Sequence, residues 1–288
     1  MKRTKHIIPV LVLLVSVLCG CGSSGTPYKT KKDMREAAKE KTSGHNEAAV
    51  YYTLPSPLEV AYIIQSTGVD YDLKLLHKTE LGVRYSTNRA AAINLGIYGA
   101  DLSYSIYFNQ QQVALKYLDC IKDLSNNLDI SDAKLQDKLK EMEENIQNRE
   151  TLKKMVSQTF FHSDALLKES SRKQTAVMVA AGMWIESLYI STQLSYGEPN
   201  SNPRLSKSVI EQGLVFEDLY NMLSTFSSSS DIEYIKNELM PLKNSFKTIN
   251  KQLGNTYLSS EKNKVDAKLF EKLCEAVKDV RNNFTQLF

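Results

Sequence analysis

Apolar residues recur every three or four positions along most of the chain after residue 55, which is the spacing of one face of an α-helix. The first helix is predicted to begin at Ser56-Pro57-Leu58-Glu59, where the serine and the glutamate form a capping box and the proline occupies the first helical position. Further helices are predicted over residues 71–78, 88–126, 132–166, 173–196, 204–227, 231–252 and 266–287.

No segment alternates apolar and polar residues for long enough to predict a β-strand, and only residues 51–54 suit an extended conformation. Loops are predicted at the glycine- and proline-rich stretch 197–203 and around Gly254-Asn255. The pattern therefore predicts an all-α fold, an elongated bundle of about six to eight helices that follows a flexible N-terminal tether.

The first 50 residues differ from the rest of the chain. A short basic region precedes an apolar run over residues 7–18, which is too short to span a bilayer and is typical of an export signal. Residues 22–50 are small, polar or charged and have almost no apolar face, so they are predicted to be a tether. Three parts follow: a signal peptide (1–20), a lipidated cysteine with its tether (21–50) and one helical domain (51–288).

The signal ends in Leu18-Cys19-Gly20-Cys21, which resembles the lipobox of bacterial lipoproteins. The shared features are a leucine three positions before the last cysteine and a small residue directly before it; Cys19 replaces the usual Ala, Ser or Thr. The resemblance implies that Cys21 is lipidated and holds the protein to a membrane through its acyl chains. Gly22 stands where Asp would favour the inner membrane, so the outer membrane is expected. A plain secretory signal followed by a free cysteine is the alternative.

Removal of the signal changes the charge of the chain. The full sequence has 36 basic and 33 acidic residues. Three of the basic residues, Lys2, Arg3 and Lys5, lie in the signal, so the mature chain has no formal net charge. A neutral protein gives no electrostatic reason to expect nucleic acid as a partner.

Cys120 and Cys274 are the two cysteines that follow the lipobox. In an export compartment they could form a disulfide, which would close a loop of about 150 residues and add about 5 kcal/mol of stability on the chain-entropy account. Both lie in apolar helical patterns, so two buried free thiols are the alternative. Neither has a histidine or basic cluster beside it that would make it a nucleophile.

Two predicted helices carry a single charged residue each and should form the centre of the bundle. Asp101 is the only charge in residues 90–115, and Glu186 is the only charge in residues 174–197. Each helix also has a glycine, Gly96 or Gly182, at a position that suggests close approach of the two backbones.

Buried carboxylates are costly unless they are paired, so these two acids invite a functional hypothesis. Helical spacing places Asn94, Tyr98 and Asp101 on one face, and Glu186 and Tyr189 on another. The first hypothesis is a polar pocket for a small cationic or hydroxylated ligand, with Asp101 and Glu186 at its floor and Tyr98, Tyr104 and Trp184 as walls. The favoured alternative is a structural network in which the acids pair with Arg84, Arg89 or a loop lysine. The candidate ligand-binding residues are Asn94, Tyr98, Asp101, Trp184, Glu186 and Tyr189.

Metal and catalytic motifs are missing from the sequence. Its histidines, His6, His45, His77 and His162, are scattered, and no Glu-x-x-His pair of the di-iron type occurs. His162 is interpreted as a core or boundary residue. There is also no nucleophile elbow, phosphate-binding loop or dinucleotide fingerprint. No metal, cofactor or catalytic residue is therefore expected.

Three stretches resemble uncharacterised helical lipoproteins of Bacteroidota. They are Pro55-Ser56-Pro57-Leu58-Glu59, residues 94–102 (NLGIYGADL) and residues 182–189 (GMWIESLY). The resemblance implies a location in the cell envelope and a helical fold, and it implies no catalytic activity.

Two functional hypotheses follow. The preferred one is a membrane-anchored envelope lipoprotein that acts as a non-enzymatic binding or scaffold module for a partner protein or a small ligand. The alternative is an envelope enzyme or sensor in which Asp101 and Glu186 transfer protons, which requires the two carboxyl groups to face each other across an open cleft.

Overall fold

The structure, a computed structural model of the protein, describes residues 54–169, 172–253 and 264–286. These residues form nine α-helices and two short 3₁₀ segments and contain no β-strand, which confirms the predicted all-α fold. The helices are α1 (Pro57–Ser66), α2 (Asn88–Tyr107), α3 (Gln111–Asn127), α4 (Ala133–Glu144), α5 (Arg149–Glu169), α6 (Lys173–Gln193), α7 (Pro203–Ser224), α8 (Ser230–Leu253) and α9 (Ala267–Thr285), and the 3₁₀ segments are Leu73–Leu75 and Thr79–Arg84.

The predicted capping box at the start of α1 is present. The Ser56 hydroxyl accepts a hydrogen bond from the Glu59 backbone N–H at 3.2 Å, and the Glu59 carboxylate accepts one from the Ser56 N–H at 2.7 Å. Both contacts are local, so the sequence alone was sufficient to predict them.

The single helix predicted over 88–126 is wrong, because the chain turns between α2 and α3. Asn109 adopts a left-handed conformation with φ of 59°, and the Gln110 N–H donates to the Ser105 carbonyl at 2.8 Å. A second bond joins the Asn109 N–H to the Ile106 carbonyl at 3.1 Å, which completes a Schellman motif. Asparagine replaces the more usual glycine in this motif, so the break carries no obvious signal.

Two other predicted helix boundaries also need correction. The helix predicted over 132–166 is divided into α4 and α5, and the Asn148 side chain caps α5 by accepting from the Thr151 N–H at 3.1 Å. The helix predicted over 71–78 is not formed, because the Asp72 carboxylate accepts from the Lys74 N–H at 2.9 Å and fixes a 3₁₀ turn instead. These divisions explain why nine α-helices are found where six to eight were predicted.

The two nearly uncharged helices, α2 and α6, pack backbone to backbone at the centre, as predicted. A Cβ atom at Gly96 would lie 2.1 Å from the Val179 carbonyl oxygen, and one at Gly182 would lie 1.9 Å from the Ile93 carbonyl oxygen. Only glycine leaves enough room for such an approach. The crossing brings the middle of α2 close to the middle of α6, where Asp101 and Glu186 lie.

The other helices are amphipathic and cover this central pair with their apolar faces. α3 and α1 pack on α2, and α7 and α9 pack on α6, while α8 lies against both α7 and α9. The predictions for the signal, Cys21, the tether, residues 51–53 and the loop at Gly254-Asn255 lie outside the described residues.

Candidate functional site

The structure brings the two central acids together. Asp101 lies on α2 and Glu186 on α6; both side chains have no exposed surface and are within hydrogen-bonding reach of each other. This part of the site hypothesis, that the acids face one another across the helix crossing, agrees with the structure. The pair is closed to solvent, so it does not have the open cleft that proton transfer to a substrate would need.

Arg281 on α9 is the charged partner of the pair. Its Nε donates to Glu186 Oε2 at 2.8 Å and its Nη2 donates to Glu186 Oε1 at 3.0 Å, which is the bidentate geometry that an arginine forms with a carboxylate. The guanidinium carbon also lies 4.8 Å from the centre of the Tyr189 ring. Arg281 is mostly buried, with 11% of its side chain exposed.

The predicted cationic partners are wrong. Arg89 pairs with Asp231 at 2.7 Å, and the cation that pairs with Glu186 is Arg281 instead of the predicted Arg84, Arg89 or loop lysine. One feature of the sequence does point to Arg281 as a buried charge. Arg281 falls four residues after the buried Val277 and three before the buried Phe284, so it is a charge on the apolar stripe of α9.

The charges of the cluster balance when Asp101 is protonated. Burial raises the pKa of Asp101 well above its usual range, and the negative charge of Glu186 raises it further. Burial lowers the pKa of Arg281, but the charge of Glu186 and its hydrogen bonds to the guanidinium oppose this, and the guanidinium stays charged. We therefore expect Asp101 to be neutral and to donate its proton to Glu186, which is itself paired with Arg281.

The two oxygens of Asp101 have different surroundings, as this assignment requires. Oδ2 accepts a hydrogen bond from the His77 backbone N–H at 3.1 Å. Oδ1 is buried and has no donor among the described protein atoms, which is expected of the oxygen that carries the proton.

His77, which no sequence pattern marked as a site residue, links the acid pair to the end of α9. Its Nε2 lies 2.7 Å from the Tyr85 hydroxyl, which donates to the Thr285 carbonyl at 2.9 Å, so Nε2 is the donor to the tyrosine oxygen. The Tyr117 hydroxyl donates to the His77 carbonyl at 2.9 Å. Burial and then the charge of Arg281 lower the pKa of His77 to about 3, so its ring is neutral.

Two of the other predicted residues, Tyr98 and Asn94, have side-chain donors that are already bonded within the protein. The Tyr98 hydroxyl donates to the Lys78 carbonyl at 3.0 Å, and its ring centre is 5.3 Å from that of His77. The Asn94 amide donates to the carbonyls of Ala90 at 3.0 Å and Phe284 at 3.2 Å. These contacts tie α2 to the neighbouring segments and leave the side-chain donors occupied within the protein.

Trp184 and Tyr104, the other two predicted walls of the pocket, have hydrogen-bond partners outside the acid pair. Trp184 Nε1 donates to Gln212 Oε1 on α7 at 3.1 Å, and its ring centre lies 5.7 Å from that of Phe216. The Tyr104 hydroxyl accepts from the Asp72 N–H at 3.2 Å. Because α2 and α6 are buried on all sides, the sequence does not show which neighbour each side chain faces.

Cys120 and Cys274 are buried free thiols, which is the alternative to the predicted disulfide. Cys120 Sγ lies 3.6 Å from the Thr79 carbonyl oxygen, whereas Cys274 Sγ lies 3.6 Å from that of Thr192. Burial raises the pKa of each thiol to about 12, which keeps both protonated.

Among the described residues, no group of three or more His, Cys, Asp or Glu side chains is placed to hold a metal ion. His162 is partly buried at the boundary of the core, where its Nε2 lies 3.2 Å from both carboxylate oxygens of Asp132.

No helix in the described residues combines the length and the hydropathy that crossing a bilayer requires. Comparison with protein-family models, with curated proteins and with solved structures finds no match to the chain.

We expect Asp101→Asn to become more stable than the wild type as the pH rises above about 4. The pKa of Asp101 is raised in the folded state, so its contribution to stability is complete below the unfolded pKa of about 3.9 and is lost as the pH rises toward the folded pKa. The amide keeps both hydrogen bonds without this loss. The difference between the two free energies of unfolding should grow by up to about 1.4 kcal/mol per pH unit.

Urea unfolding of both proteins between pH 4 and 8 measures this difference. Asp119→Asn removes an exposed carboxylate from α3 and controls for the loss of one negative charge. A pH-independent difference for Asp101→Asn, equal to that of the control, would show that the Asp101 carboxyl is ionised in the folded protein.

Proposed function

We propose that this protein is a lipid-anchored protein of the bacterial cell envelope, at the outer membrane, whose helical body is a non-enzymatic binding or scaffold module. The observation that supports this most is the closure of the Asp101, Glu186 and Arg281 cluster. These acids were the best candidates for catalysis, and their charges and protons are satisfied inside the fold. The cluster therefore acts as a structural connection between α2, α6 and α9.

The proposed location is supported by the lipobox-like sequence that ends at Cys21 and by the resemblance to helical lipoproteins of Bacteroidota. Two or three acyl chains on one cysteine bind a bilayer stably, since each buried methylene contributes about 0.8 kcal/mol. A body without a bilayer-crossing helix in its described residues would then be held outside the membrane by its lipid.

We expect Cys21→Ala to abolish lipidation, because it removes the thiol that would accept the diacylglycerol. Incorporation of radiolabelled palmitate should fall to background, and the protein should move from the membrane fraction to the soluble fraction. Cys19→Ala is the matched control: it places a usual residue at the middle of the lipobox, so both labelling and membrane retention should persist. Unchanged membrane retention of Cys21→Ala would contradict the proposal.

A further inference from the structure

Three segments lie side by side at one end of the helical body. They are the loop after α6 with the first turn of α7 (198–207), the last turns of α8 (247–252) and the start of α9 (264–268). The Asn200 amide donates to the Val265 carbonyl at 3.2 Å, which joins the first segment to the third. The Asp266 N–H donates to Gln252 Oε1 at 3.4 Å, which joins the third segment to the second. The charged side chains of the three segments are therefore gathered at one end of the body.

Basic side chains outnumber acidic ones at this end. The basic residues are Arg204, Lys207, Lys247, Lys251, Lys264 and Lys268, and the acidic residues are Glu198 and Asp266. The end of α1 also contacts this region, since the Asn202 amide donates to the Thr67 carbonyl at 3.3 Å, and Asp70 follows it. With Asp70 included, six basic residues stand against three acidic ones. We call the three segments the basic end.

The positive charges of the basic end are accessible and unpaired. Lys207 is half-buried, and the other five basic side chains are exposed. None of the six forms an ion pair with an acid in the described part of the chain, whereas Arg89, Lys122 and Lys236 each do so elsewhere on the body. Residues 254–263, which lie outside the described part, carry one acid and one base and leave the balance unchanged.

The charge of the body is therefore unevenly distributed. Without the predicted signal the chain has no formal net charge, so an excess of positive charge at one end is balanced by acids elsewhere. Further along α9, for example, Glu271, Glu275 and Asp279 follow one another at a spacing of four residues. A neutral protein with such a distribution is oriented by a charged surface.

The proposed lipid anchor would bring a membrane within reach of the basic end. At about 3.4 Å per residue, the predicted tether over 22–50 can extend up to about 100 Å. α1 has ten residues, about 15 Å of helix, and its last residue, Ser66, accepts a hydrogen bond from Arg204 Nη1 at 3.2 Å. An anchored protein meets the membrane surface at a high effective concentration, so a weak electrostatic attraction is sufficient.

We propose that the basic end docks on the anionic phospholipid head groups of the membrane that holds the lipid anchor. Each lysine or arginine near an anionic surface strengthens the association about fivefold, so an excess of three positive charges favours the docked orientation about 100-fold. The proposal rests on the lipid anchor and adds to it the orientation of the helical body.

Acetylation of lysines in the full protein, as its producing cells process it, tests this orientation. The protein is bound to vesicles of phosphatidylcholine alone, or of phosphatidylcholine with an equal amount of phosphatidylglycerol. It is then treated briefly with acetic anhydride, and the modified lysines are quantified by mass spectrometry. On the anionic vesicles, contact with head groups should slow the acetylation of Lys247, Lys251, Lys264 and Lys268 about fivefold or more, the effect expected of one basic side chain at such a surface.

Exposed lysines away from the basic end serve as controls within the same sample. Lys134 begins α4, and Lys278 lies ten residues after Lys268 on α9. Their acetylation should be equal on the two kinds of vesicle. In 1 M sodium chloride, where the Debye length is about 3 Å, the protection of the basic end should disappear.

Two double substitutions test the charges themselves. Lys251→Gln with Lys268→Gln should weaken docking about 25-fold, so Lys247 and Lys264 should lose most of their protection. Lys134→Gln with Lys278→Gln makes the same change of net charge away from the basic end and should leave that protection intact. All four substituted side chains are exposed, so the fold should be retained.

Equal acetylation of the basic end on the two kinds of vesicle would overturn the proposal. Protection on phosphatidylcholine alone that equals protection on the anionic vesicles would also overturn it, because the covering group would then not be an anionic phospholipid. Unchanged protection of Lys247 and Lys264 in the Lys251→Gln and Lys268→Gln variant would do the same. Sedimentation with the neutral vesicles reports the lipid anchor separately: its loss would contradict the anchor, whereas equal acetylation of sedimented protein would contradict only the docking.

Discussion

Arg281→Met is expected to lower the free energy of unfolding by about 3–5 kcal/mol, the typical cost of removing one partner from a buried ion pair. The substitution keeps much of the apolar length of the side chain, so lost packing is small. Its main effect is on Glu186, which has no exposed surface and would lose both hydrogen bonds from the guanidinium. Urea denaturation followed by circular dichroism measures the change.

Arg89→Met is the matched control for this substitution. Arg89 also pairs with an acid, Asp231, at 2.7 Å, but the side chains of that pair are 28% and 37% exposed. Exposed pairs contribute about 0–1 kcal/mol, so this variant should change stability little. Adding Glu186→Gln to Arg281→Met should recover part of the loss, because no buried charge is then left unpaired. Equal losses for Arg281→Met and Arg89→Met would show that the Glu186 pair is not the buried connection described above.

Gly182→Ala is expected to cost about 3 kcal/mol, the upper end of the usual range for overpacking a core. The added Cβ would lie 1.9 Å from the Ile93 carbonyl oxygen, which belongs to the backbone of α2 and cannot rotate away. The two central helices would have to separate, and the contact between Asp101 and Glu186 would lengthen with them. Thermal and urea unfolding of the variant measure the loss of stability.

Gly213→Ala on α7 provides the control for the glycine substitution. Its Cβ would meet the Phe246 ring at 3.0 Å, and a side chain can move by a few tenths of an ångström. Alanine also favours a helix over glycine by about 1 kcal/mol, so the net effect should be near zero. If Gly182→Ala were as stable as Gly213→Ala, the close backbone contact between α2 and α6 would be incorrect.

Much of the fold could be predicted because the signals are local. The capping box at Ser56 and Glu59 involves four consecutive residues, and the apolar spacing of α7, α8 and α9 is visible in the sequence. The central position of α2 and α6 followed from their lack of charge, and their close approach followed from Gly96 and Gly182. These features depend on composition and periodicity within a single helix.

The parts that were not predicted depend on contacts that the sequence does not specify. The turn at Asn109 has no glycine or proline to mark it, and its hydrogen bonds are seen only in the folded chain. Arg281 is 95 residues from Glu186 and reaches it only through the packing of α9 on α6. The contacts of Trp184 with Gln212 and Phe216 were not predicted, because a helix that is buried on all sides gives no indication of which neighbour a side chain faces.

Infrared spectroscopy of the carboxyl groups at pH 7 can detect a protonated Asp101 inside a sealed cluster. We expect a carbonyl band of a protonated carboxyl that is absent from Asp101→Asn, and a slow shift of this band after transfer to D₂O, since the proton exchanges only when the core opens. The absence of such a band at pH 7, or its complete shift at the first time point, would contradict this arrangement and would indicate an ionised or solvent-accessible Asp101.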